Sequence, residues 1–139
     1  MQIHELEPGF AISDALVVED LEEVVRLGFK SIVCNRRPGE ADGQPDESLM
    51  HQRCLALGLA WRCIPVAPGE YGEADIEAFG TALEELPPPI LAFCRTGRRA
   101  VHMWAHARSC EPGCDIPALL EAAHQAGHDP QPIHDMLNR

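Results

Sequence analysis

Four consecutive apolar residues, Ile90-Leu91-Ala92-Phe93, run straight into Cys94-Arg95-Thr96-Gly97-Arg98-Arg99. A strand with no polar position has no face to give to water, so it belongs inside a parallel sheet covered on both sides. Pro87-Pro88-Pro89 breaks any helix ahead of it, and residues 99–109 beyond it carry Val101, Met103, Trp104 and Ala105 in a helical pattern. A buried strand, a short charged loop and a helix in direct succession point to a layered α/β architecture.

The rest of the chain alternates in the same way. Phe10-Ala11-Ile12 reads as a short first strand, residues 19–28 as a helix that Gly28 stops, and Lys30 to Cys34 as a buried strand. The Gly-, Pro- and charge-rich stretch from Asn35 to Pro45 is a loop. Asp46 begins a helix that ends at Gly58, Trp61 to Val66 forms a strand, and residues 73–86 form a helix. Residues 116–126 and 133–137 add two terminal helices. The order βαβαβαβα predicts a mainly parallel central sheet flanked by helices, a three-layer αβα fold. With 139 residues, residues 1–139 are expected to make a single domain.

The formal net charge is −11, which argues against nucleic acid or an anionic membrane surface as the partner. Yet five of the 11 Lys/Arg residues sit in two short loops, Arg36 and Arg37 in one and Arg95, Arg98 and Arg99 in the other. Arginines gathered this way in an acidic chain suit a small anion held between the two loops. The first residues, Met1-Gln2-Ile3-His4-Glu5, show no signal region, and no apolar run reaches the roughly 18 residues of a spanning helix. Six cysteines, mostly within apolar or helical patterns, read as free thiols of a cytoplasmic protein.

Ligands of open parallel sheets bind beyond the carboxyl ends of the strands, and Cys94 opens such a loop. Gly97 permits the tight bend, and the N–H groups at the following helix start can face an anion. Cys94 is the candidate nucleophile. Arg99 and the loop N–H groups are the candidate charge stabilisers, with Arg95, Thr96, Gly97 and Arg98 shaping the anion cradle. Arg36, just beyond a neighbouring strand, either clamps the anion's outer oxygens or pairs with Glu40 and stiffens its own loop.

Phe93-Cys94-Arg95-Thr96-Gly97-Arg98-Arg99 resembles the loop of the phosphatase-like domain of beta-lactamase-hydrolase-like proteins, a family also described as bacterial sulfurtransferases. The resemblance extends over Leu27 to Val33, over Asn35-Arg36, Gly39-Glu40 and Gly43-Gln44-Pro45, and over Ile64-Pro65-Val66 with Pro68-Gly69. It departs at Arg37, Pro38 and Ala100, the last standing where a hydroxyl residue is common. The resemblance implies a fold related to the cysteine phosphatases.

Two chemistries compete for this loop. Cysteine phosphatases carry His-Cys, five spacers and Arg, with an Asp general acid on a neighbouring loop. This chain has Phe93 before the cysteine and four spacers before Arg99, and Pro65-Val66-Ala67-Pro68-Gly69-Glu70 holds no Asp. A four-spacer loop is closer to single-domain rhodaneses, which pass sulfane sulfur through a cysteine persulfide and need no general acid. The spacing therefore favours a sulfurtransferase, with a phosphatase acting on a small phosphate ester as the alternative. Glu70 is then its candidate acid, and Glu73 and Asp75 are further carboxylates nearby. A third reading is a non-catalytic thiol sensor, in which Cys34 or Cys63 forms a disulfide with Cys94.

The expected ligand is a small anion or sulfane-sulfur compound, with no cofactor. A thiol acceptor or a separate metallo-beta-lactamase-like protein is a conceivable partner, because relatives can be fused to such a domain. His102, His106 and Cys110 recur on one helix face at a spacing zinc can use, but they lack the close-paired pattern of a zinc finger and read as an ordinary mixed face, so no metal is expected.

Overall fold

The structure, a computed structural model, describes residues 1–138. Its five strands are β1 (Ile3–Glu7), β2 (Phe10–Ser13), β3 (Ser31–Cys34), β4 (Ala60–Cys63) and β5 (Ile90–Phe93). They form one sheet in the order β1-β2-β5-β3-β4. Strands β2, β5, β3 and β4 are parallel, and only β1 is antiparallel to its neighbour. The helices are α1 (Leu21–Arg26, after a 3-10 turn at Val18–Asp20), α2 (Glu47–Ala56), α3 (Glu73–Glu85), α4 (Arg98–Ser109), α5 (Ile116–Gln125) and α6 (Gln131–Leu137).

The all-apolar β5 is the middle strand, and its residues divide between the two faces as a strand period of two requires. Ile90 and Ala92 join Phe79, Val101, Met103, Trp104 and Ile133 in one core, which packs α3 to α6 against the sheet. Leu91 and Phe93 join Leu21, Val24, Met50 and Cys54 in the other, which packs α1 and α2. Phe10 and Ile12 against Ala11, and Val33 against Ile32 and Cys34, alternate in step. Two separate cores on opposite faces make this the three-layer αβα arrangement expected from the sequence pattern.

Two strands differ from expectation. Strand β1 was not visible in the sequence because Ile3-His4-Glu5-Leu6-Glu7 is an edge strand with only Leu6 fully buried. Its Glu7 carboxylate accepts from Trp104 Nε1 and from Arg108 Nε, which ties the edge to α4. Strand β4 is shorter than the apolar run Trp61 to Val66, because Pro65 has no N–H for the ladder. The backbone keeps its course even so, with Ile64 N–H donating to Cys34 O at 2.8 Å and Val66 N–H to Asn35 O at 3.3 Å. Among the described residues no helix is long and apolar enough to cross a membrane.

Candidate active site

The carboxyl ends of β3, β4 and β5 open on one end of the sheet, and three segments leave there: residues 35–46, 64–72 and 94–97. The last is the Cys94 loop. Gly97 adopts φ 93°, in the left-handed region that side chains disfavour. A Cβ there would also sit 3.2 Å from His128 Nε2 and 3.4 Å from Ser13 O. This bend turns Gly97 N–H onto Cys94 Sγ at 3.1 Å and starts α4 at the next residue. Ala15 N–H donates to Arg95 O at 3.1 Å, fixing the outer side of the loop to the chain after β2. Arg98 N–H donates to Thr96 Oγ1 at 3.3 Å. Cys94 is buried, whereas Arg95, Thr96 and Arg98 are exposed around it.

Asn35 joins the three segments. It is fully buried, donates its N–H to Phe93 O at 2.9 Å, and donates Nδ2 to Ile64 O at 2.9 Å. Its Oδ1 has no partner.

Arg99 is buried and held by four acceptors. Nη1 and Nη2 grip Glu40 Oε1 and Oε2 at 2.7 and 2.6 Å, the two-pronged geometry in which guanidinium and carboxylate bind most strongly. Nη1 also donates to Val66 O at 3.0 Å and to Asn35 O at 3.4 Å. The Cys94 sulfur is near enough to act on Arg99 as well. The Glu40 carboxylate, and to a lesser extent the Cys94 sulfur, raise its already high pKa. In return Arg99 pulls the Glu40 carboxyl down to about 2 from its ordinary 4.5. Arg36 is also buried, and its Nε lies 3.3 Å from Glu40 Oε2. The pairing of Arg36 with Glu40 is therefore present, and the same carboxylate holds both arginines. The sequence offered Glu40 only as a partner of Arg36. Its grip on Arg99, 59 positions away, has no local signal.

Among the candidate residues, Cys94, Arg95, Thr96, Gly97, Arg98 and Arg99 share one loop and helix start, and Arg36 reaches the same place through Glu40. Glu70 lies apart. It is exposed, and its backbone pairs with Ala67 across a tight turn. Asp75 is occupied as a cap, its Oδ2 accepting from Gly72 N–H at 3.2 Å.

Three residues around the loop were not anticipated for this site. Tyr71 Oη lies 2.8 Å from His102 Nδ1, and its ring meets His102 and His106 edge-on. Burial raises the pKa of Tyr71, and the charges of Cys94, Arg98 and Arg99 all act on its hydroxyl. Burial, with Arg98 and two histidines nearby, pushes His102 down to about 4. Burial likewise lowers His128, which closes over Gly97. Tyr71 follows the Pro-Gly turn and His102 lies one helical turn beyond Arg98, so nothing in residue spacing marks them. His106 bridges from the Tyr71 ring to α6, with Nε2 3.4 Å from Met136 Sδ.

Cys34 and Cys63 are register partners in adjacent strands, and both thiols are free. The neighbouring Cys63 sulfur, and then burial, push the Cys34 thiol's pKa up.

The family model for the phosphatase-like domain of beta-lactamase hydrolase-like proteins matches residues 2–111 of this chain. A beta-lactamase hydrolase-like protein of Xylella fastidiosa (strain Temecula1) is 30% identical over 129 residues, or 93% of this chain. The chain spans only 30% of that relative's length. A candidate phosphatase of Neisseria meningitidis Z2491 has a crystal structure that superposes with a TM-score of 0.87 at 30% identity. That match covers 99% of this chain and 96% of the other. TpbA of P. aeruginosa, solved with phosphotyrosine, shares the fold at a TM-score of 0.66 and 18% identity, over 96% of this chain and 79% of its own.

Proposed function

The chain belongs to the phosphatase-like domain family of beta-lactamase hydrolase-like proteins, and from that membership we propose that it is a cysteine-dependent phosphatase of small phosphate esters. One observation carries the reading: Cys94 Sγ sits under the Gly97 N–H at 3.1 Å, with Arg99 clamped beside it, in a fold shared with phosphatases. Loop spacing alone favours sulfur transfer, but the relatives bear phosphatase descriptions and favour the phosphate ester.

In this mechanism the Cys94 thiolate attacks phosphorus and the ester oxygen departs, leaving a phosphocysteine. Loop N–H groups and Arg99 stabilise the charge on the non-bridging oxygens, and preset donors of this kind supply much of the rate in such sites. Glu40 holds the Arg99 fork at a fixed angle, so the guanidinium need not reorganise during the reaction. Exposed Arg95 and Arg98 draw the dianion in. Water then attacks phosphorus, phosphate leaves and the thiolate returns.

The test is hydrolysis of p-nitrophenyl phosphate by wild type beside Cys94→Ser, with intact-mass detection of a phosphocysteine in quenched samples. Turnover and an adduct that both vanish in Cys94→Ser support the reading. An inert wild type refutes it.

A second reading keeps one observation in its favour, the four-residue spacing from Cys94 to Arg99. In it the Cys94 thiolate attacks the outer sulfur of thiosulfate, sulfite leaves with the bonding electrons, and a persulfide remains. A mass gain of about one sulfur atom after thiosulfate exposure, reversed by cyanide, would favour it.

A further inference from the structure

We propose that the Tyr71 hydroxyl is the proton donor to the departing ester oxygen, held in place by His102; the proposal rests on the phosphatase reading above. Phosphate monoesters of alcohols need a proton at the leaving oxygen, and general acid catalysis is worth roughly 10²–10⁴-fold. The segment after β4, where an acid would stand, offers no placed carboxylate. Glu70 is exposed on its turn, and Asp75 caps α3.

Tyr71 occupies the same segment and is placed. Val66 O accepts from Arg99 Nη1 at 3.0 Å, which ties the start of the segment to the anion clamp. Five residues on, Tyr71 Oη is tied to α4 through His102 Nδ1 at 2.8 Å, with the ring braced edge-on by His102 and His106. The segment is thus pinned at both ends against the helix whose first turn carries the Cys94 loop. The charges near enough to act on the phenol are Cys94, Arg98 and Arg99. Around His102 stand Arg98, His106 and His128. His102 itself is neutral at physiological pH, since its pKa lies at about 4, so it orients the phenol and is not the acid.

The proton balance closes. As Cys94 sulfur bonds to phosphorus and the P–O bond breaks, the Tyr71 proton passes to the leaving oxygen, giving a free alcohol and a phenolate. Arg98, Arg99 and a His102 Nδ1–H stabilise that phenolate. In the second half, water attacks phosphorus, its proton returns to the phenolate, and the S–P bond breaks to restore thiolate and phosphate.

The experiment compares kcat/KM for glycerol 2-phosphate, whose alkoxide is a poor leaving group, with p-nitrophenyl phosphate, whose phenolate departs without help, because kcat/KM reports only the steps up to leaving-group departure. Wild type, Tyr71→Phe, Glu70→Gln, His102→Ala and His102→Asn are measured, with thermal unfolding of each. Tyr71→Phe is expected to lose about 10²-fold or more on glycerol 2-phosphate and no more than a few-fold on p-nitrophenyl phosphate. Glu70→Gln should match wild type on both. His102→Ala should reproduce the selective loss, and His102→Asn, which restores a polar atom near Nδ1, should recover part of it. Equal rates for Tyr71→Phe and wild type on glycerol 2-phosphate, an equal loss on both esters, or a selective loss in Glu70→Gln would overturn the assignment. A wild type that turns over neither ester fails the phosphatase reading itself, and this proposal with it.

Discussion

Two loops leave neighbouring strands at the same end of the sheet, and they are built on opposite principles. The loop after β5, residues 94–97, is shaped by its backbone: one left-handed glycine and one helix start set the bend, and a single backbone bond from Ala15 holds its outer side. The loop after β3, residues 35–46, has little regular structure and is fixed by side chains, with Glu40 gripping Arg99 of α4 and Arg36 of its own loop and buried Asn35 reaching Ile64 O. The short loop carries the candidate chemistry. The long one carries the rigidity that the chemistry draws on, as a shell of supporting contacts does in a preorganised site.

Substitutions can separate the two roles. The largest effect is expected from Cys94→Ser, which should lower phosphate ester turnover by at least about 10³-fold with little change in unfolding temperature. Glu40→Gln attacks the long loop instead. It leaves two buried guanidinium groups without their shared anion, and chemical denaturation should show a loss of about 3 kcal/mol. The same pair predicts an acid limb. Because the Glu40 carboxyl is lowered to about 2 from 4.5, its contribution is complete above about pH 4.5 and gone below about pH 2. Stability measured across that window should slope less in Glu40→Gln than in wild type.

Gly97→Ala should cost about 1–2 kcal/mol, from the left-handed φ and the close approach of His128, and should also remove most activity. If it unfolds no sooner than wild type and stays active, the short loop is not shaped by its backbone. Arg36→Ala should have the smallest effect, about 1 kcal/mol, because Glu40 keeps its two-pronged bond to Arg99. A loss as large as that of Glu40→Gln would make Arg36 an equal partner in the clamp.

The same contrast explains what the sequence revealed. Local rules reached the short loop: an unbroken apolar run marks β5, a glycine marks the bend, and a helical period marks α4. They also reached the layer order, since βα alternation leaves few topologies open. They did not reach Glu40 with Arg99, or Tyr71 with His102, because those contacts join positions 59 and 31 apart that only folding brings together. Edge strand β1 escaped for another reason. With one buried residue in five, it lacks the hydrophobic alternation by which strands are recognised.

The sheet order also bears on how the chain assembles. Strands β2 and β3 both pair with β5 and not with each other, so the middle strand is the last of the five in sequence. A fragment ending at residue 89 would hold two strand pairs, β1 with β2 and β3 with β4, and a gap between them. Such pieces expose unpaired edges that invite mispairing. The strand that closes the sheet is also the strand that leads into the Cys94 loop, so the loop can take its place only on a sheet whose long-range pairings are made.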